Sequence, residues 1–237
     1  MDFPLHDAMR AGLSESNPGW GQGMTRVYDC LSHDFLYHDL SNMMIFAGNH
    51  DTDRLGDVVG RNPNKAKLAI TMMATLRGIP QVFAGDEMMF VSKDLSQGHG
   101  GLRVDFPGGW DGDKADYFTA EGRAKNALVA DLHNYSRTLF QWRKHKEVIH
   151  SGMTTHFITR DNTYGYFRYN NDEVVFVYIN NSGEPKHIPW SYYDEITACL
   201  TTGRNVITGE VVTLSDDTVV APEQALVVEF ARFGSPR

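Results

Sequence analysis

Residues 43–54 read Met-Met-Ile-Phe-Ala-Gly-Asn-His-Asp-Thr-Asp-Arg, and this stretch decides the fold. Its first half is an apolar run that ends at Gly48, which predicts a short buried strand of the kind found in parallel sheets. Its second half brings an amide, an imidazole, two carboxylates and a guanidinium together, and such groups at the carboxyl end of a strand are typical of α/β sites. A second interpretation is that Asn49, Asp51 and Thr52 cap the next helix.

A second unit of the same kind follows along the chain. Asn62-Pro63 predicts a helix start, because Asn is a good cap and Pro is tolerated in the first turn. Gly78 and Pro80 predict its end. Residues 81–84 then predict another short buried strand, again followed by polar residues. This alternation of strand and helix indicates a parallel sheet or barrel.

Three further helices and one long loop are predicted around these units. The helices are expected over residues 6–13, 24–40 and 123–146, from apolar residues at helical spacing. Residues 92–118 are glycine-rich and irregular, and stretches of this length are usually functional or mobile. They lack the strand-then-helix context of a nucleotide-binding loop.

The character of the chain changes at Gly152. From there, short β-type runs alternate with turn signals at roughly ten-residue spacing, which predicts a small antiparallel sandwich. The predicted strands are residues 157–159, 164–169, 174–179, 196–200, 211–214 and 225–230. We therefore predict an α/β domain over residues 1–150 and an all-β domain over residues 151–237.

Composition excludes several classes of function. The 237 residues carry 22 basic and 30 acidic side chains, a net charge of −8 that argues against nucleic-acid binding. No apolar stretch is long enough to span a membrane. Cys30 and Cys199 have no metal or redox spacing, and we expect both to be buried. The ten histidines form no metal-ligand pattern, so no metal is expected.

Two motifs resemble those of a known family. Phe46-Ala47-Gly48-Asn49-His50-Asp51 is similar to the motif that ends the seventh barrel strand in the α-amylase family (glycoside hydrolase family 13). Residues 78–87 are similar to its eighth-strand motif, and residues 139–152 to its last barrel helix. Residues 1–5 resemble its sixth strand. The chain thus resembles the C-terminal part of such an enzyme, most of all the neopullulanase and cyclomaltodextrinase-like members.

The resemblance implies a fold and a set of site residues. The fold would be the last three βα units of a (β/α)8 barrel, followed by a C-terminal β-sandwich. Asp51 would stabilise the positively charged transition state of a retaining α-glucan hydrolase. His50 would bind the same sugar, and Asn49 would hold the loop. No cofactor or metal is implied, because the family's calcium sites mostly lie in the half of the barrel that the resemblance does not cover.

Several other residues have two open interpretations. Arg54 is a candidate for the pocket rim, or else a partner of Asp51 or Asp53 in a surface salt bridge. Arg103 and Trp110 are candidates for lining the sugar cleft. Glu87 is expected to be a buried structural acid. Asp86 is expected to be a turn or loop acid.

The resemblance also implies that two catalytic groups lie elsewhere. A retaining glycosidase needs a nucleophile and a general acid about 5–5.5 Å apart, and the family carries them after its fourth and fifth strands. We therefore expect this chain alone to be inactive, and to associate with the missing N-terminal part of the barrel or with a second copy. Any signal sequence would lie in that part, which leaves the compartment undetermined.

A non-catalytic role is the alternative. The chain can instead be a carbohydrate-binding or assembly module derived from such an enzyme. In that case aromatic side chains would stack on sugar rings, although core packing is the more ordinary role of large aromatic residues. The candidates are Trp110, Trp190, Tyr192 and Tyr193.

Overall fold

A computed structural model describes residues 1–215 and 217–231. Residues 232–237, which fall in the predicted β domain, lie outside the described residues. The described helices are α1 Phe3–Ser14, α2 Met24–Ser32, α3 Leu55–Val58, α4 Pro63–Thr75, α5 His99–Leu102, α6 Ala120–Ala124, α7 Ala127–Arg143, α8 Glu147–His150 and α9 Asp194–Thr197. Four 3₁₀ segments add Asp34–Leu36, Asp86–Met88, Leu95–Gln97 and Trp190–Tyr193.

The described strands form three sheets. They are β1 Met44–Phe46, β2 Ile79–Gln81, β3 Met153–His156, β4 Thr163–Tyr169, β5 Glu173–Asn180, β6 Lys186–His187, β7 Thr202–Asn205, β8 Val211–Thr213, β9 Val219–Val220 and β10 Gln224–Ala231. Strands β1 and β2 pair in parallel, and β6 pairs with β9. The other six form one sheet in the order β3-β4-β5-β10-β7-β8, with antiparallel neighbours.

The parallel pair confirms the strand predicted in residues 43–47. Met44 lies opposite Ile79, and the second strand begins two residues before its predicted start. The strand predicted over residues 1–5 is wrong, because α1 already begins at Phe3. Asp2 caps that helix by accepting the Leu5 N–H at 3.1 Å, and Pro4 suits its first turn. Asp2 still touches the sheet, since its N–H donates to the Met44 carbonyl at 2.8 Å.

Helix α4 confirms the Asn62-Pro63 start. The Asn62 side chain accepts the backbone N–H groups of Asn64 and Lys65 at 3.0 and 3.3 Å. The helix ends at Thr75, and Gly78 follows with φ +91. A Cβ at Gly78 would lie 2.4 Å from the Met43 carbonyl oxygen, so this turn into β2 requires glycine.

Two predicted long helices are interrupted. The helix expected over residues 24–40 ends at Ser32, whose hydroxyl donates to the Tyr28 and Asp29 carbonyls at 3.1 and 2.8 Å. Such local side-chain bonds compete with helix continuation. The helix expected over residues 123–146 is split because Asn126 caps α7 by accepting two backbone N–H groups.

The six-stranded sheet is buried on both faces. Along β5, Val175, Val177 and Ile179 pack into the core shared with helices α1, α2, α4 and α7. The alternate residues Val174, Phe176 and Tyr178 face a second core, to which Ile188, strand β9 and the Trp190–Tyr193 segment contribute. Because side chains alternate with this period of two, the predicted strands 164–169, 174–179 and 225–230 agree with the observed strands to within two residues at each end.

Other details of the β region differ from prediction. Residues 196–200 form no strand. Instead α9 ends at Thr197, and Ile196 and Leu200 both pack on the second core from four residues apart. The strand predicted at 157–159 lies earlier, at Met153–His156. Cys199 is exposed, contrary to expectation, whereas Cys30 is half-buried and burial raises its pKa to about 11.

The two parallel strands place their carboxyl ends side by side. Phe46 and Gln81 are paired in register, so the loops that begin at Ala47 and Val82 leave the sheet at the same edge. Across the described residues, no helix combines the length and apolar character that crossing a bilayer requires.

Candidate functional site

The loop after β1 is shaped by Asn49. This side chain is buried, and its Oδ1 accepts the backbone N–H of Asp51 at 2.8 Å. The Thr52 hydroxyl in turn accepts the Asn49 N–H at 2.9 Å. These residues close a turn of their own rather than capping α3, whose N-cap is Arg54 with no side-chain cap bond. The capping interpretation is therefore wrong, and Asp51 is held at the outer end of a fixed turn.

The Asp51 carboxylate lies among three nitrogen-bearing side chains. Arg103 Nη2 donates to Asp51 Oδ1 at 2.9 Å, and His99 Nδ1 lies 3.4 Å from the same oxygen. His50 Nε2 lies 3.2 Å from Oδ2. Arg103 Nε also donates to the His50 backbone carbonyl at 3.2 Å. We call Asp51, His50, His99 and Arg103 the Asp51 cluster.

The Asp51 cluster is open to solvent. The side chains of Asp51, His50 and Arg103 are 52%, 59% and 51% exposed. An ionised carboxylate offers about four acceptor positions, so Asp51 retains capacity for further donors such as sugar hydroxyls. The arrangement can therefore accept hydrogen bonds from a ligand and stabilise positive charge that develops on it.

Arg54 lies inside the protein, which differs from both expectations for it. Its side chain is only 2% exposed, so it neither lines an open rim nor forms a surface salt bridge. Arg54 Nε donates to the Leu102 carbonyl at 2.8 Å. Its Nη1 donates to the Ala84 carbonyl at 2.9 Å and to Asp86 Oδ1 at 3.0 Å. The guanidinium also stacks over the Phe83 ring at 3.9 Å.

Asp86 is the buried partner of Arg54, not an exposed turn acid. Its side chain is 4% exposed. Burial raises the pKa of Asp86 to about 7, because desolvation of the carboxylate outweighs the opposing effect of Arg54. Glu87 is only half-buried, and its Oε2 accepts the Gly85 N–H at 2.9 Å, which is a structural role.

The buried pair sits directly behind the Asp51 cluster. Arg54 holds the Leu102 carbonyl, and Leu102 is the residue before Arg103. The loop after β1, the loop after β2 and the glycine-rich loop therefore meet at one guanidinium. This contact fixes the backbone directly before Arg103, and so helps to place the Arg103 side chain against Asp51.

The structure does not bring Trp110 into this group. Trp110 is 67% exposed, and its backbone N–H donates to Asp113 Oδ2 at 3.1 Å. Among the contacts of the described residues, none joins it to Asp51, His50 or Arg103. Of the other aromatic candidates, Tyr193 is buried and Trp190 packs beside it in the second core.

Two residues of this region were not predicted. His99 was missed because it lies in the irregular glycine-rich loop, where no periodicity places it. The available signal was the spacing between His99 and Arg103, which lie four residues, or about one helical turn, apart. Asp86 was missed because a carboxylate after a strand and a glycine is typical of an exposed turn.

Within the described ranges, no group of three or more His, Cys, Asp or Glu is arranged to hold a metal ion.

Family comparisons identify the class of protein. The model of the α-amylase catalytic domain matches residues 1–176, and the model of the cyclo-malto-dextrinase C-terminal domain matches residues 154–229. The chain belongs to the α-amylase family. This confirms both the predicted family and the predicted fold class, part of an α-amylase-type barrel followed by an antiparallel β region.

Two curated relatives are glycoside hydrolases by name. The chain is 29% identical to a beta/alpha-amylase of Paenibacillus polymyxa over 189 residues, which is 77% of this chain and 14% of the relative. It is 24% identical to a cyclomaltodextrinase of Geobacillus thermopakistaniensis over 191 residues, which is 80% of this chain and 29% of the relative. The chain thus spans less than a third of either relative.

A solved structure has the same fold. The α-amylase of Geobacillus thermoleovorans, complexed with acarbose, superimposes with a TM-score of 0.75 at 21% identity. The superposition covers 99% of this chain and 48% of that one, so the chain spans about half of the solved enzyme.

Proposed function

We propose that the chain forms one wall of the catalytic site of a retaining α-glucan hydrolase. The observation that carries the proposal is the position of Asp51: a half-exposed carboxylate on a turn fixed by Asn49, at the carboxyl end of a parallel strand. Sites of barrel enzymes lie at this edge. The proposed substrates are starch, pullulan or cyclodextrin, of which the relatives named amylase and cyclomaltodextrinase support the first and the last.

Each residue of the wall has a proposed role. Asp51 hydrogen-bonds hydroxyls of the sugar at the cleavage point and stabilises the oxocarbenium-like transition state. His50 and Arg103 bind the same sugar from either side of that carboxylate. Asn49 positions the turn. Arg54 acts behind the site by holding the Leu102 carbonyl.

The nucleophile and the general acid are proposed to come from outside residues 1–237. The chain spans only about half of the solved α-amylase, and the family resemblance places both groups after strands that this chain does not match. The chain alone is therefore proposed to be inactive, with residues 1–150 as the barrel portion and 151–237 as the β domain.

An association partner is proposed at the open edge of the parallel pair. Phe3, Met44 and Ile79 are apolar side chains exposed by 46%, 36% and 50%, and the latter two are opposite each other in register. Unpaired strand edges and apolar faces favour association. The proposed partner is the missing part of the barrel or a second copy of the chain. A monodisperse monomer in light scattering would contradict this proposal.

The test is expression with and without any coding sequence upstream of Met1. We expect the longer protein to hydrolyse starch or cyclodextrin with retained α configuration, observed by NMR of the first products. We expect no hydrolysis by the purified 237-residue chain, and measurable hydrolysis by it would overturn the proposed division of the site. A gene that begins at Met1, with maltooligosaccharide binding and no turnover, would instead favour the carbohydrate-binding module.

A further inference from the structure

A large groove lies between the loop after α1 and the β region. It has a volume of about 1170 Å³ and shares no residue with the Asp51 cluster. Residues 16–22 form one side, and residues 158–162 form the other. Pockets for small ligands typically have volumes of about 300–1,000 Å³, so this open groove is somewhat larger than an ordinary small-molecule pocket.

A fully exposed tryptophan stands over the groove. Trp20 is at the corner of a turn in which Gln22 N–H donates to the Gly19 carbonyl at 3.2 Å, and the Gln22 side chain accepts the Gly19 N–H at 2.7 Å. Gly21 supplies the positive φ of +71 that this turn needs. An indole presented in this way loses the burial that normally stabilises a tryptophan.

The loop that carries Trp20 is anchored at its base. Asn162 is buried, donates to the Glu15 and Asn181 carbonyls at 3.0 Å, and accepts the Met24 N–H at 3.0 Å. Glu15 is paired with Arg26 at 2.7 Å. The backbone that presents the exposed ring is therefore held in position before any ligand arrives, which lowers the entropy lost on binding.

The groove suits a neutral, hydroxyl-rich ligand. Its carboxylates Asp29, Asp161 and Glu184 outnumber its one arginine, Arg160, which disfavours an anionic ligand. Arg160 itself is stacked over the Tyr192 ring at 3.7 Å. The remaining polar lining consists of amides and hydroxyls and includes Asn17, Gln22, Thr25 and Thr159. Such groups hydrogen-bond hydroxyls, and the indole face packs against the C–H face of a pyranose ring.

We propose that this groove is a second carbohydrate-binding site, with Trp20 as its stacking platform and an α-glucan chain as its ligand. The choice of an α-glucan rests on the proposed function, whereas the groove and the exposed indole on its anchored loop do not. The site would retain a polymeric substrate on the protein without contributing to bond cleavage.

The test is a calorimetric titration of the 237-residue chain with maltoheptaose. We expect saturable binding that Trp20→Ala weakens by at least about tenfold, the loss expected for one stacking contact. Trp20→Phe should retain part of the affinity. Since Trp20 is fully exposed, its removal leaves the core intact.

A matched variant separates this groove from other exposed aromatic rings. Phe35→Ala removes an exposed ring outside the groove and should bind maltoheptaose like the wild type. Equal affinity of Trp20→Ala and the wild type, or no saturable binding by the wild type, would overturn the second site. If the longer protein hydrolyses its substrate but binding does not depend on Trp20, only the groove proposal is refuted. If binding depends on Trp20 but the longer protein hydrolyses nothing, only the proposed function is refuted.

Discussion

Arg54 Nη1 donates to Asp86 Oδ1 at 3.0 Å inside the protein, and this ion pair joins the loop after β1 to the loop after β2. Arg54 also binds the carbonyl of Leu102, directly before Arg103. Stability and site geometry therefore depend on the same buried guanidinium.

Replacing Arg54 by Met should strongly destabilise the protein. The substitution leaves Asp86 buried without its partner, and breaking a buried pair in this way costs about 3–5 kcal/mol of unfolding free energy. The loss should be measured by urea unfolding at pH 8, which lies above the pKa of about 7 that Asp86 has beside Arg54. Arg10→Met, which breaks the half-exposed pair with Asp53, is the matched control and should cost no more than about 1 kcal/mol.

The loss caused by Arg54→Met should shrink as the pH falls. Burial already raises the pKa of Asp86, and removal of Arg54 raises it further. Between the wild-type pKa of about 7 and the higher pKa of the variant, only the folded variant binds the proton, so the loss shrinks as the pH falls to about 7 and stays constant below it. A loss that stays constant from pH 8 to pH 5 would show that Asp86 is not the group left unpaired.

The Glu229 carboxylate should stabilise the folded protein only at pH values above its titration range. Burial alone would raise its pKa, but hydrogen bonds from Lys146 at 2.8 Å and Trp142 at 2.9 Å outweigh this and hold the pKa below its ordinary value of 4.5. The stabilisation is therefore present above pH 4.5 and is lost as the pH falls through the lowered pKa.

The corresponding experiment compares Glu229→Gln with the wild type in urea at pH 7 and pH 3. The variant should be less stable at pH 7, and the difference should narrow at pH 3. Glu210→Gln, at an exposed position, should show little difference at either pH. An unchanged gap at acid pH would argue against the charged Lys146–Glu229 contact.

Asn49→Ala should loosen the turn that presents Asp51. The substitution removes the acceptor for the Asp51 N–H at a buried position, which costs about 1–3 kcal/mol. Urea unfolding measures this loss, with Asn171→Ala in an exposed turn as the control. Equal stability of the two variants would mean that the Asn49 side chain does not hold the loop.

Local patterns allowed much of the fold to be predicted. The apolar run before Gly48, the Asn62-Pro63 start and the alternation along β5 each depend on neighbours in sequence, and each was confirmed. The strand expected at residues 1–5 failed because Asp2 and Pro4 favour a helix start more strongly than the resemblance favours a strand.

The inner part of the site could not be predicted, because it depends on contacts between distant loops. Arg54 is 32 residues from Asp86 and 48 from Leu102, and only their meeting buries it. Likewise, Arg103 reaches Asp51 across 52 residues. Family resemblance pointed to Asp51 and His50 but not to His99, since nothing in the glycine-rich loop fixes where that imidazole lies.

The central claim concerns Asp51, and the most direct measurement is the turnover of Asp51→Asn in a protein that joins residues 1–237 to the segment carrying the nucleophile and acid. Because the carboxylate is proposed to act mainly in the transition state, kcat on maltooligosaccharide should fall at least about 100-fold. The urea midpoint should stay within the small range expected for a half-exposed side chain. Near-normal turnover, or a fall in kcat explained by unfolding, would contradict the account.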